Sequence, residues 1–219
     1  MRTWDVVEEL AAASDARTYL QLVTPTTAIE HSARTATLPF ATSEPLTYQV
    51  IGHGFPGVPA DMPTFDDIEP TMAGTRFDIV FTDPWHTIDH SRRALRWAFD
   101  RIAPDGWLVV HDCWPTAPEL LGPYGGYPAA WCGDTWRAFQ ELARAQRNPW
   151  CVIDSDFGIG VIGPITDHRL ERIVDDIPAE PAAQWEWLVS HRGEPWLTAP
   201  TDWSPNPPAN RVGAFRADR

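Results

Sequence analysis

The chain has no lysine: its 17 Lys and Arg residues are all arginine. That excludes every mechanism that needs a side-chain amine, among them a Schiff base, a pyridoxal-phosphate anchor, a Walker-A phosphate clamp and a Ser–Lys dyad. Glycine is absent from the first 51 residues, the first of the 14 being Gly52. No Gly-rich phosphate or dinucleotide loop can therefore lie in that part of the chain. The three cysteines, Cys113, Cys132 and Cys151, form no CxxC pair and no disulfide framework. No apolar run approaches the roughly 20 residues of a membrane span, and Met1-Arg2-Thr3-Trp4-Asp5 has an acid where a signal peptide turns apolar. A reducing, cytoplasmic setting without a membrane partner is expected. The net charge of −13 makes a nucleic-acid backbone an unfavourable partner, although Arg92, Arg93 and Arg96 gather on one predicted helix.

What is present suits one globular domain. The 219 residues are 43% apolar and 21% charged, enough to bury a real core. Residues 1–194 read as an α/β domain, and 195–219 as a Pro-rich tail, an extended strap or disordered, with Pro195, Pro200, Pro205, Pro207 and Pro208. Trp4, Val7, Leu10 and Ala11 have helical spacing over 4–13. Tyr19 to Val23 reads as a first strand, a short helix is expected over 28–34, and strands over 35–40 and 46–51. Gly52 to Pro63 is irregular.

From Arg76 the pattern sharpens. Phe77 to Asp83 is a mostly apolar run closed by an acid, as a buried parallel strand requires. A helix follows, capped by Thr87 or Asp89, with Ile88, Leu95, Phe99 and Ile102 on one stripe and Pro104-Asp105-Gly106 as its stop. Trp107 to Asp112 is a second buried strand closed by an acid, and Gly133-Asp134 opens another helix through Trp136, Phe139, Leu142 and Ala143. The stretches 150–154 and 157–162 form a terminal hairpin, and 181–190 a last helix. Strand–helix alternation ending in a hairpin predicts an open α/β sheet, mainly parallel, with an antiparallel last strand.

Ligands of such sheets bind outside the carboxyl ends of the strands. There the sequence places Asp83 and Asp112 on consecutive strands, with His86 three residues after the first acid. Two carboxylates and an imidazole can hold a divalent cation and supply a base beside it. His111 reads as a hydrogen-bonded core residue, Cys113 as a small buried hydrophobe, and Asp134 as either a helix N-cap or a further metal ligand. Of the 12 tryptophans, Trp97, Trp107, Trp136 and Trp150 fall in predicted elements. Trp85, Trp114 and Trp131 fall in loops at the ligand-bearing edge, where flat rings could stack on a substrate.

Phe77 to His86 and Pro104 to Asp112, with the helix between them, resemble the class I S-adenosylmethionine-dependent methyltransferases. More narrowly, they resemble the metal-dependent O-methyltransferases of small molecules and of sugars in glycosylated natural products. The likeness runs from Phe77 to Ile162; Tyr19 to Val23 takes the place of the first strand, and Trp185 to Arg192 resembles a C-terminal helix of such chains. The resemblance implies a Rossmann-like methyltransferase fold, S-adenosylmethionine as cofactor near Leu22, Val23, Thr24 and Asp83, and Mg²⁺ or another divalent metal on Asp83 and Asp112. It also implies His86 as general base acting on a small-molecule hydroxyl, and it allows a homodimer. Two positions depart from the pattern. Cys113 stands where a third oxygen ligand follows the second acid, which leaves three alternatives: Asp134 or water completes the metal, the metal is a softer one, or there is none. The segment after the first strand, Thr24-Pro25-Thr26-Thr27, has no glycine. Two other readings keep the fold: a cofactor-independent acid–base enzyme such as a cyclase or lyase, and a non-catalytic partner in a biosynthetic pathway.

Overall fold

The computed structural model describes residues 1–23, 46–49, 70, 72, 74–123 and 130–205. The expected helix over 28–34, the strand over 35–40 and Thr24 lie outside them. The described elements are α1 (Thr3–Ser14), β1 (Tyr19–Val23), β2 (Leu46–Gln49), β3 (Phe77–Asp83), α2 (Ile88–Phe99), β4 (Ile102–Val110), α3 (Thr135–Ala145), β5 (Trp150–Ile153), β6 (Ile159–Ile162), α4 (Pro181–Ser190) and β7 (Leu197–Thr198). A single turn of 3-10 helix covers Pro118–Leu120.

The strands form one seven-stranded sheet in the order β2-β1-β3-β4-β6-β5-β7. Neighbours β2, β1, β3 and β4 run parallel, β6 is antiparallel to both β4 and β5, and β7 is parallel to β5. This is the Rossmann-like α/β architecture the sequence predicts. The antiparallel strand is the last of those expected from the sequence, and the two-residue β7 follows it. From β1 the chain goes to β2 on one side and returns to β3 on the other, so β1 and β3 flank a topological switch point. In open α/β sheets that is where a crevice for ligands opens.

The strands are apolar on both faces because both are covered. Leu20, Leu22, Val80, Leu108 and Val110 pack with Leu95 and Phe99 of α2, Trp136 and Phe139 of α3 and Leu188 of α4. Tyr19, Ile79, Phe81, Trp107 and Val109 face the other way, against Trp4, Val7 and Leu10 of α1. Alternate residues of one strand thus serve two cores, which explains why β3 reads as a continuous apolar run. The sequence expectation differs at β4. The helix α2 stops at Phe99, not at Pro104-Asp105-Gly106, and those three residues lie within the strand. Asp105 there takes the left-handed φ of 64°, and the register shifts between Phe77 and Ile79. A Cβ on Gly106 would stand 2.7 Å from the Asp78 carbonyl oxygen, so only glycine lets the two strands approach there.

The sheet also runs past the boundary expected at residue 194. Backbone N–H groups of Val152 and Asp154 donate to the carbonyls of Trp196 and Thr198 at 2.8 and 2.9 Å, which makes β7. Trp196 is buried, stacked on Trp150 at 5.5 Å and edge-on to Trp114 at 5.6 Å. Residues 195–198 are therefore part of the folded unit. Truncating a core Trp costs about 3–5 kcal/mol. Trp196→Ala is expected to lower the urea midpoint accordingly, with an unchanged slope; a midpoint equal to wild type would mean that this segment lies outside the cooperative unit.

Candidate active site

Parallel pairing brings the two acidic strand ends together. Asp83 closes β3, and the His111 N–H donates to the Thr82 carbonyl at 3.1 Å, which carries Asp112 to the same edge. Asp112 has the left-handed φ of 60°, a conformation that Asp tolerates better than most residues. It turns the chain toward the β5–β6 loop, where the N–H groups of Cys113 and Trp114 donate to the carbonyls of Gly158 and Phe157 at 2.8 and 2.7 Å.

His86 comes back to these acids through the Pro84-Trp85 turn. Its Nε2 lies 3.1 Å from Asp83 Oδ1 and 3.1 Å from Asp112 Oδ2, and the three side chains are 16%, 3% and 7% exposed. Its Nδ1 donates to the Trp131 carbonyl. The segment 131–134 clamps this turn: the N–H groups of Cys132 and Gly133 donate to the Leu120 carbonyl, and that of Asp134 to the His86 carbonyl at 2.8 Å. Gly133 is left-handed, and a Cβ on it would stand 2.2 Å from the His86 carbonyl oxygen. No other residue fits there.

His111 belongs to the same group. Its Nδ1 is 3.4 Å from Asp112 Oδ2 and 3.8 Å from Asp83 Oδ1, and its Nε2 is 3.7 Å from Asp156 Oδ2. Asp156, from the β5–β6 loop, accepts both the backbone N–H and the hydroxyl of Thr3 at 2.9 Å. The Cys132 thiol donates to Asp112 Oδ1 at 3.3 Å. A connected array thus runs from the N-terminus of α1 through Asp156, His111 and the two acids to His86 and Trp131.

The charges follow from this geometry. Burial alone would raise the Asp83 carboxyl, but the adjacent His111 and His86 outweigh it and hold it well below the usual carboxylate range. Burial alone would lower both imidazoles, yet the Asp112 and Asp83 carboxylates raise His86, and Asp112, Asp156 and Asp83 raise His111. Burial and the neighbouring Asp112 push the Cys132 thiol up, so it stays a proton donor.

The other expected site residues divide. Trp85 and Trp131 are half-buried and meet edge-on at 5.3 Å, with Trp131 5.1 Å from the His86 ring; they form one wall beside the acids. Trp114 does not: it is 3% exposed and belongs to the core against Trp196. Asp134 is not brought to the acids, since its carboxylate accepts from Gln184 Nε2 at 3.0 Å. The Cys113 thiol points at the Val110 and His111 carbonyls rather than at the acids. Leu22 is buried, and Val23 ends β1 in register with Asp83 at the switch point. Among the described residues, the cluster able to hold a metal is Asp83, His86 and Asp112. The general-base role expected for His86 is not supported by this arrangement, because Nδ1 donates to a carbonyl and Nε2 faces two carboxylates. His111, expected as a core residue, belongs instead to the site; Asp156 and Cys132 carried no local signal.

The raised imidazoles and the lowered Asp83 set opposite pH limits for the metal-free protein. A raised imidazole stabilises the fold fully below its ordinary value of 6.5, and that stability is lost as pH rises through the folded value. The Asp83 contribution is present above 3.8 and lost as pH falls. In melts with chelator, the stability advantage of wild type over His111→Gln is expected to be greatest below pH 6.5 and to shrink toward pH 9. An advantage that grew with pH would refute this charge assignment.

No helix among the described residues is long and apolar enough to cross a membrane. No protein-family model matches the chain, and no curated protein aligns with it. Among solved structures it is similar to a "putative O-methyltransferase" from Klebsiella pneumoniae, at 16% identity and a TM-score of 0.46, over 72% of this chain and 77% of that one. The chemistry of this chain is therefore read from its own side chains.

Proposed function

We propose that the protein is an S-adenosylmethionine-dependent O-methyltransferase of a small hydroxylated molecule, with a divalent cation assisting at Asp83 and Asp112. The observation that carries the reading is the convergence of these two buried carboxylates with two imidazoles beside the switch point of the sheet. The donor set fits a cation: two carboxylates and an imidazole offer atoms within 4.8 Å of one another. The end of β1 fits the cofactor in position, since Val23 is in register with Asp83 where the crevice opens.

When bound, the cation would lower the pKa of a substrate hydroxyl and the sulfonium cofactor would supply the methyl group. The chain's own part is to orient the substrate and to balance the charge of the two acids. Trp85 and Trp131 offer flat apolar rings against which a sugar or aromatic acceptor can lie. His111, with Asp112 on one side and Asp156 on the other, is held as a positive charge that offsets the two acids and fixes their orientation. Asp156 orients that ring through Nε2 and is itself fixed by Thr3.

A second reading, a cofactor-independent acid–base enzyme, is favoured by one observation: the first 51 residues hold no glycine, which leaves the segment after β1 without the usual means of close backbone approach to a cofactor. Calorimetry with S-adenosylmethionine and its demethylated product separates the two. Binding of both at micromolar concentration, with methyl transfer to a panel of hydroxylated small molecules falling at least 100-fold in Asp83→Asn and in Asp112→Asn, is the expected result. No binding of either at millimolar concentration would remove methyl transfer and leave the acid–base reading.

A further inference from the structure

His86 offers the site one nitrogen, and the backbone decides which. A carbonyl oxygen only accepts, so the Nδ1 that faces the Trp131 carbonyl carries a hydrogen. The lone pair left for a cation is then on Nε2, the nitrogen that lies between the two acids. An outer hydrogen bond of this kind fixes the tautomer and ring orientation of metal-ligating histidines. That carbonyl is held rigidly. The Trp131 indole N–H donates to the Gly122 carbonyl at 2.8 Å, the next two N–H groups donate to the Leu120 carbonyl, and the Asp134 N–H ties back to the His86 carbonyl.

The spacing agrees. His86 Nε2 is 3.1 Å from one oxygen of each acid. Two ligands at right angles on an octahedral cation with bonds of about 2.1 Å lie about 3 Å apart, and the same distance is that of a direct hydrogen bond. The remaining oxygen of Asp112 is engaged by the Cys132 thiol at 3.3 Å, which leaves Oδ2 facing inward. Neither thiol competes: the Cys113 sulfur points at the Val110 carbonyl, and the Cys132 thiol is engaged with Asp112 Oδ1.

We infer that His86 Nε2 is the third ligand of the cation, and that the site accordingly takes a nitrogen-accepting first-row ion such as Mn²⁺, Fe²⁺, Co²⁺ or Zn²⁺ in preference to Mg²⁺. The inference rests on the cation-assisted reading above but not on the cofactor. Imidazole is a good ligand for the later first-row ions, whereas Mg²⁺ prefers an all-oxygen shell and keeps its waters. The donor set here, one imidazole and two carboxylates, favours the former.

The test uses the full-length, metal-free protein without cofactor. Co²⁺ and Mg²⁺ are titrated separately, followed by calorimetry and by the visible absorption of bound Co²⁺. Co²⁺ is expected to bind at least tenfold more tightly than Mg²⁺. His86→Gln should remove that preference by weakening Co²⁺ alone, and Asp112→Asn should abolish the absorption band. Ring ¹⁵N spectra of the wild type with Zn²⁺ give a measurement that does not depend on how the variants fold. They should show one histidine protonated at Nδ1 and metallated at Nε2. Equal affinity for Mg²⁺ and Co²⁺, an unchanged preference in a folded His86→Gln, or no cation binding at millimolar concentration would overturn the inference. Tight Co²⁺ binding in a protein that binds neither S-adenosylmethionine nor its demethylated product would uphold the inference while removing methyl transfer.

Discussion

Two buried carboxylates, each 3.1 Å from the same imidazole nitrogen and within 4.8 Å of one another, are the constraint to which the rest of this edge answers. Like charges that close repel by about 3 kcal/mol or more at an effective dielectric of about 20, and each has also lost its water. Neutrality has to be supplied locally. In a chain without lysine, and with arginines committed to surface acids such as Glu141 and Asp176, the available cations are imidazolium and bound metal. His86 and His111 occupy the two sides of the acid pair, and the Cys132 thiol adds a neutral donor. Each of these groups is placed by a backbone device: the left-handed Asp112, the Gly133 contact and the Trp131 carbonyl.

The fold makes that placement possible because the acids sit on its stiffest part. β3 and β4 lie in the middle of the sheet, packed on both faces by helices, so Asp83 and Asp112 are fixed relative to each other by strand pairing. The groups that complete the site come from connections: the turn after β3, the segment before α3 and the β5–β6 loop. This division, rigid strands for the charged pair and loops for what surrounds it, is the usual way open α/β sheets build ligand sites. It also explains why α1 matters to the site although it packs on the far side of the sheet. Its first residue, Thr3, holds Asp156, which faces His111.

Most of the fold was legible for one reason: a strand buried on both faces is a short apolar run with a sharp end. β1, β3 and β5 therefore begin where the sequence predicts, and α4 has the expected bounds. The meeting of Asp83, His86 and Asp112 was legible because two consecutive parallel strands closed by acids leave little geometric choice. His111 was misread because a histidine inside a buried strand end suggests the core, whereas the left-handed turn at Asp112 keeps its ring with the acids. Trp114 was misread in the opposite sense. A Trp beside a proline in a loop suggests an open edge, but Trp196 arrives from a remote segment and covers it. Asp156, Cys132 and β7 depend on closures between distant parts of the chain, and no local pattern announces such contacts.

The short β7 has a meaning for the molecule as a whole. A parallel sheet that ended at β5 would expose a row of unpaired backbone groups, a template on which a second chain could build. Here the carbonyls of Trp196 and Thr198 take up the outward N–H groups of Val152 and Asp154, and β7 itself is only two residues long, so the edge it leaves is short. The segment that reads as a loose tail thus leaves the sheet with a short edge on that side.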